Sequence, residues 1–467
     1  MDAIKKTLKD SAAIRWLVLV IISMFMFGTY WFQDFMSGLK GLMMSELGIN
    51  SSQFGLIISS TTWANMVGMI MVGGIILDKW GIRVAGVVFG IVASLGASIT
   101  AMATYGVFGD DPGTMMKFMM AGRMLFGIGL ESICVIVTRT TVKWFKGYEL
   151  ALAMAINVAF GRFGTAFGTA FSVEIGGGHV APAVAFAASL IGFGFILFLA
   201  YLIFDIRLDK QVNANKKEGG EPEEDFKFSD LVKLATNKGF IYITLLCVAF
   251  YSAVFPFIQY APDLLVNKFG FTYQLPDLSS MTLFEKIGAI FHNGPKVTGL
   301  IPLGTILFTP IFGSIVDKKG KAASLMILGA FLLIFAHVSL SLFNSVTLGY
   351  LGLVSLGVAF ALVPAAMWPS VAKIVAENRL GTAYSSMFTI QNWGLGLFFW
   401  GIGALLDFVN RADLAAIKAG EKMYDYTIPI LTLVICGVIS IFLAFMLLRA
   451  DKQNKYGLEL PSGVEAK

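Results

Sequence analysis

Uncharged apolar runs of about 20 residues recur along the whole chain, each long enough as a helix to cross roughly 30 Å of hydrocarbon. No water reaches the middle of a bilayer, so a crossing segment must satisfy its own peptide groups, and a helix does this. The sequence is 57% hydrophobic and 14% charged, with a mean hydropathy of +0.76, and the charges fall between the runs. Fifty glycines would weaken helices in water, but small residues let membrane helices approach one another closely. The fold class expected is an all-α membrane protein.

The runs predict twelve spans, at residues 14–35, 52–77, 84–108, 118–141, 148–174, 182–205, 239–266, 297–316, 322–343, 346–373, 381–408 and 427–449. The first is too long for the core of a cleavable signal and is read as a retained span. Lys5, Lys6, Lys9, Lys79, Arg83, Lys143, Lys146, Arg207, Lys210, Lys216, Lys217, Lys318, Lys319, Lys321, Lys373, Arg379 and Arg449 fall on one side of this topology. The other side holds few cations, among them Lys40, Lys117 and Lys268. The positive-inside rule then places both termini in the cytoplasm. The net charge of +5 forms no basic patch, so no nucleic-acid partner is expected. Cys134, Cys247 and Cys436 all lie in apolar runs, which gives neither a disulfide framework nor a zinc site. With only His179, His292 and His337, and no nucleophile placed with a base, no enzyme, metal or cofactor is expected.

Gly74-Ile75-Ile76-Leu77-Asp78-Lys79-Trp80-Gly81-Ile82-Arg83, between spans 2 and 3, returns between spans 8 and 9. The second copy is Gly313-Ser314-Ile315-Val316-Asp317-Lys318-Lys319-Gly320-Lys321, 239 residues on. A loop of this form, twice in one chain, resembles the signature of the major facilitator superfamily. The resemblance implies a secondary transporter of two pseudo-symmetric six-helix bundles. The expected division is a first bundle over 1–205, a cytoplasmic linker over 206–238 and a second bundle over 239–467. The linker carries the acidic run Glu221, Pro222, Glu223, Glu224 and Asp225. An external insertion, 271–296, separates spans 7 and 8; residues 283–292 within it read either as an interfacial amphipathic helix or as a plain loop. Asp78 is expected to face the start of span 11 near Gly381, and Asp317 that of span 5 near Gly147, as latches on the cytoplasmic side, with Lys79, Arg83 and Lys318 beside them.

Two charges lie at similar depth inside neighbouring spans. Glu131 is 14 residues before Phe145 and Arg162 is 17 after it. At about 1.5 Å per residue, both sit roughly 20–25 Å from that turn. A charge in mid-membrane costs about 2.5–3.5 kcal/mol on insertion scales, so it is expected to be paired or to face a cavity. Two readings stand: a static ion pair bracing span 4 against span 5, or two clamps for a zwitterion, its ammonium on Glu131 and its carboxylate on Arg162. Arg123 opens Arg123-x-x-x-Gly127-x-Gly129, which resembles the superfamily's span-4 motif; proton coupling and a structural bond to span 1 are both open. Asp34 reads as a gate or an interfacial carboxylate, Arg139 as a snorkelling or gate residue, and His337 as a packing residue. Pro256, Pro302, Pro364 and Pro369 mark bends in spans 7, 8 and 10. Gly161, Gly164 and Gly168 on span 5 match a glycine pattern on span 11 in which Leu395 stands where Arg162 does.

Within the superfamily the chain resembles the subgroup around major facilitator superfamily domain-containing protein 1, lysosomal exporters of dipeptides. The resemblance is carried by Gly129-Leu130-Glu131-Ser132, Trp144-Phe145-Lys146-Gly147-Tyr148-Glu149-Leu150 and Gly161-Arg162-Phe163-Gly164. It continues in Tyr251-Ser252-Ala253-Val254-Phe255-Pro256-Phe257, Ala366-Met367-Trp368-Pro369, Leu380-Gly381-Thr382-Ala383-Tyr384 and Ile390-Gln391-Asn392, with Asp34 following Tyr30. It implies that Glu131 and Arg162 hold the two ends of a dipeptide and that Tyr251, Phe255 and Trp368 line the cavity. Tyr30, Gln391 and Asn392 join the candidate binding residues. The segment Val137-Thr138-Arg139 departs from the subgroup's neutral polar stretch, and the insertion is larger. A long amino-terminal sorting extension is not expected, and a monomeric homologue in a bacterial inner membrane is. The leading function is alternating-access transport of short peptides. An exchanger of organic anions or phosphorylated metabolites is the alternative in the same class, and a non-transporting sensor or scaffold the alternative in another.

Overall fold

The computed structural model describes residues 7–215, 228–376 and 379–461. Lys5, Lys6, Lys216, Lys217 and the acidic run at 221–225 lie outside the described residues. The helices are α1 (Ala12–Asp34), α2 (Lys40–Leu47), α3 (Ser51–Met66), α4 (Met69–Thr104), α5 (Pro112–Phe145), α6 (Leu150–Ile175), α7 (Val180–Asn215) and α8 (Phe228–Thr236). They continue as α9 (Lys238–Phe269), α10 (Leu283–Phe291), α11 (Gly294–Lys319), α12 (Ala322–Leu342), α13 (Val346–Ile374), α14 (Leu380–Val409), α15 (Leu414–Lys418) and α16 (Thr427–Asn454). Their starts follow the sequence. Asn50 and Gln53 form a reciprocal capping box, Asp111 caps α5 ahead of Pro112, and Asn237 and Asn293 cap α9 and α11.

Among the described residues, ten stretches are long and apolar enough to cross a membrane. The second and third passes are divided differently from the expectation. Gly68, at φ 89°, breaks the second pass between α3 and α4, and Gly81, at φ 75° and ψ 173°, reverses the chain inside α4. Only glycine adopts such backbone without strain. With α6 between α5 and α7, the result is the twelve-helix, two-bundle arrangement of a multi-pass integral membrane protein.

Within the bundles α1 packs on α6 and α7, α4 on α5, and α12 on α13 and α16; between them α3 packs on α14 and α6 on α11. Small residues permit the closest crossings. A Cβ on Gly127 would lie 1.9 Å from the Thr61 carbonyl oxygen, and one on Gly164 2.3 Å from that of Phe27. Proline lies inside α9 (Pro256, Pro262), α11 (Pro302, Pro310) and α13 (Pro364, Pro369).

Both described chain ends lie on one face, where the Leu8 N–H donates to Gln211 and the Tyr456 hydroxyl to Asn237. On the opposite, distal face the bundles are joined. Asp407 accepts from the Ser51 and Ser52 N–H groups at 3.2 and 2.7 Å, and Lys296 pairs with Glu174 at 2.8 Å. Toward the terminal face, Gly74, Gly147, Gly313 and Gly381 have open space where a Cβ would stand. The molecule is closed distally.

Candidate functional site

A cavity of about 750 Å³ lies between the bundles at mid-depth. The first bundle contributes Tyr30, Gln33 and Asp34 from α1, Leu130 and Glu131 from α5, and Met154, Val158 and Arg162 from α6. The second contributes Tyr251 and Phe255 from α9, Thr305 and Thr309 from α11, Phe360 and Trp368 from α13, and Phe388, Gln391 and Leu395 from α14. The charges lining it are Asp34, Glu131 and Arg162.

Glu131 and Arg162 share this cavity but form no ion pair with one another among the described residues. The Glu131 carboxylate stands against the side-chain amide of Asn392 on α14. The Arg162 guanidinium lies 4.5 Å from the centroid of the Phe360 ring on α13. A cation over a ring gains about 0.5–2 kcal/mol, less than a bidentate carboxylate offers in a poorly hydrated cavity. Each charge thus reaches across to the opposite bundle through a weak partner and keeps capacity for a stronger one. The static brace of α5 against α6 is not the arrangement found.

Asp34 is buried and bridges the bundles: Thr165 Oγ1 on α6 donates to it at 2.7 Å, and Gln259 Nε2 on α9 donates at 2.7 Å. Arg123, fully buried, donates to the carbonyls of Phe32 and Gln33 at 3.2 and 3.0 Å, so it ties α5 to the end of α1. The second bundle's wall is an aromatic ladder. Tyr251 stacks on Phe255 at 5.2 Å and on Trp368 at 6.3 Å, and Trp368 stacks on Phe388 at 5.1 Å. Trp368 Nε1 donates to the Tyr251 hydroxyl, and the Tyr384 hydroxyl to the Trp368 carbonyl, which fixes the indole. Gln391 accepts from the Cys247 thiol at 3.2 Å, the Cys134 thiol lies 3.6 Å from the Tyr30 hydroxyl, and Asn392 Nδ2 is also bonded to the Phe388 carbonyl. His337 is packed edge-on against Phe257 and bonded to the Leu333 carbonyl.

The expected latch residues have these surroundings. Asp78 pairs with Arg139 of its own bundle at 2.6 Å, and Gly381 has nothing where a Cβ would point. The cation paired with Asp78 is thus on α5. Arg83 pairs with Asp205 at 2.6 Å and with Asp209, and Lys143 bridges the same two carboxylates at 2.7 and 2.8 Å. Lys79, Asp317 and Lys318 are exposed on the terminal face. Sequence reasoning missed Phe360 at the cavity, Thr165 and Gln259 as the partners of Asp34, and the distal pair Lys40–Asp263, at 2.5 Å. A threonine, a glutamine and a phenylalanine within apolar helices carry no charge to mark them. Lys40 falls just beyond an apolar run and reads as a loop cation.

A protein of Danio rerio named lysosomal dipeptide transporter MFSD1 is 29% identical over 408 residues, covering 84% of this chain and 81% of its own length. The Homo sapiens protein of the same name is 28% identical over 414 residues, covering 85% and 80%. Among solved structures, a mutant of the nucleoside transporter NupG superposes with a TM-score of 0.67 at 15% identity, covering 93% of this chain and 99% of its own, a likeness of fold. The profile of the Major Facilitator Superfamily matches residues 16–399, and the chain belongs to that superfamily.

Proposed function

We propose that the chain transports short peptides, dipeptides foremost, by alternating access. The observation that carries this reading is that Glu131 and Arg162 face one cavity unpaired, with an aromatic wall opposite. A dipeptide separates its ammonium and carboxylate by more than one Cα–Cα step of about 3.8 Å, so it spans side chains on two helices better than a single amino acid does. The relatives named above are dipeptide transporters, which supports the substrate class. Two carboxylates against one guanidinium disfavour an anion exchanger. In this reading Tyr30, Gln391 and Asn392 complete the binding site. Asp34 and Arg123 hold the α1 end of the cavity, while the loops of Asp78 and Asp317 govern closure of the terminal face.

The same reading divides the chain into bundles over 1–205 and 239–467 with a linker over 206–238. It places the protein as a monomer in a bacterial inner membrane with both termini cytoplasmic, following the cation bias. Uptake of radiolabelled dipeptide into proteoliposomes tests the function. Saturable accumulation or exchange, competed by other dipeptides and not by dicarboxylates, is expected. A signal equal to that of empty vesicles overturns it.

A further inference from the structure

The insertion before α11 carries the nine-residue helix α10, opened by a capping box between Thr282 and Glu285. At 100° per residue, Leu283, Phe284, Ile287, Ile290 and Phe291 occupy one arc of about 120°. All five are exposed, Phe284 by 85% and Leu283 by 70%. Lys286 and Ala289 are its half-buried positions, and on the helical wheel Glu285 and His292 fall opposite the apolar arc. Five large apolar side chains on one unpartnered face are not a stable arrangement in water.

The depth of α10 follows from its neighbours. The Tyr350 hydroxyl, just over one turn into α13 from its distal end, donates to the Phe291 carbonyl, and α11 begins at Gly294. The carboxyl end of α10 is therefore level with the first distal turns of two membrane helices. The apolar arc is continuous in character with the lipid-facing side of α11, where Leu300, Leu307 and Ile311 are exposed by 45, 70 and 53%.

We propose that α10 is a lipid-binding element that lies in the plane of the distal leaflet, its apolar arc sunk among the acyl chains and Glu285 at the headgroups. The anchor fixes the base of the insertion. The Thr272 N–H donates to the His292 carbonyl at 3.0 Å, and Asn293 Nδ2 to the Tyr273 carbonyl at 3.0 Å. Tyr273 in turn donates to Asp263. Lipid contact thus holds in place the segment that supplies a hydroxyl to the distal closure.

The test uses the full chain, with Cys134, Cys247 and Cys436 replaced by alanine, in vesicles of phosphatidylethanolamine and phosphatidylglycerol. Nitroxides are placed singly at Phe284, Ile287 and Glu285. Power saturation is expected to show oxygen favoured over a water-soluble nickel chelate at 284 and 287, and the reverse at 285. Nickel access at all three positions overturns the proposal, as does shielding of 284 and 287 from both reagents, which marks a protein occupant. A photoreactive benzoylphenylalanine at position 284 of the otherwise native chain gives a second readout. Adducts of phospholipid mass are expected, and adducts confined to protein overturn the proposal.

Discussion

Lys40 and Asp263, from opposite bundles, form a 2.5 Å ion pair at the distal face in which neither side chain is more than 4% exposed. Tyr273 and Tyr426 donate to the same carboxylate, Asn267 Nδ2 joins at 3.1 Å, and the ring of Tyr424 lies 4.9 Å from the ammonium. Opening the distal face must separate and rehydrate both charges. The pair therefore has one environment in each state of the transporter, and its loss is felt mainly in the closed one.

Removing one partner leaves a buried charge uncompensated, which costs about 3–5 kcal/mol, whereas neutralising both is far milder. Lys40→Met is expected to lower the population of the distally closed state, and Lys40→Met with Asp263→Asn to recover much of it. Spin-label distances across the distal face would report the shift. Wild-type distances and thermal stability in both single variants would count against the closure being held this way.

Asp205 and Asp78 should differ sharply in weight. Asp205, with its side chain 1% exposed, accepts from Arg83, Lys143 and Tyr201. Asp78 is 53% exposed and its partner Arg139 41%. Asp78→Asn is expected to cost at most about 1 kcal/mol, as exposed pairs do. Asp205→Ala takes from Arg83 and Lys143 the more buried of their two carboxylates, leaving them Asp209, and removes the acceptor of the buried Tyr201 hydroxyl, which is expected to cost about 1.5–3 kcal/mol. Thermal unfolding in detergent compares them, and equal shifts would show that the cluster does not brace α4, α5 and α7 together.

Charges inside apolar runs were legible because each is costly enough to need a reason, which led to Glu131, Arg162 and Arg123. The spans were legible from length and composition, except where Val67-Gly68-Met69 breaks a helix inside unbroken apolar sequence. What joins the bundles was not legible. Asp34 meets Gln259 across 225 positions and Lys40 meets Asp263 across 223, and no local pattern encodes a partner so distant. Nor was the partner that Asp78 has in this structure legible: Arg139, on the next helix of its own bundle.

The terminal ends give a test of motion that leaves binding intact. Gly74 and Gly381 lie within helices with nothing inside 4 Å of a built Cβ, but alternating access must bring these ends together. Gly74→Leu and Gly381→Leu are expected to fold and bind dipeptide normally, yet to lower exchange at least several-fold. Gly127→Ala, pressed against the Thr61 carbonyl, should instead lower the melting temperature itself. Full exchange activity in both leucine variants would mean that the terminal ends never approach at these positions.

Recognition can be separated from bracing by blocking the substrate instead of the protein. If Arg162 holds the peptide carboxylate, Arg162→Ala removes a charge-assisted partner worth about 1.5–3 kcal/mol, or roughly ten- to hundredfold in affinity. Arg162→Lys should rescue poorly, because a point charge lacks the planar fork. An amidated dipeptide should bind the native protein weakly and lose little more in Arg162→Ala. An acetylated dipeptide should behave likewise toward Glu131→Gln, while free dipeptides weaken in both variants. Equilibrium binding of the three peptides to the native chain and the two variants fills this crossed pattern. Since Glu131 and Arg162 lean on Asn392 and Phe360 and not on each other, the double variant should not regain affinity. Blocked peptides that bind as tightly as free ones, or recovery in the double variant, would sink the clamp and return the pair to a brace.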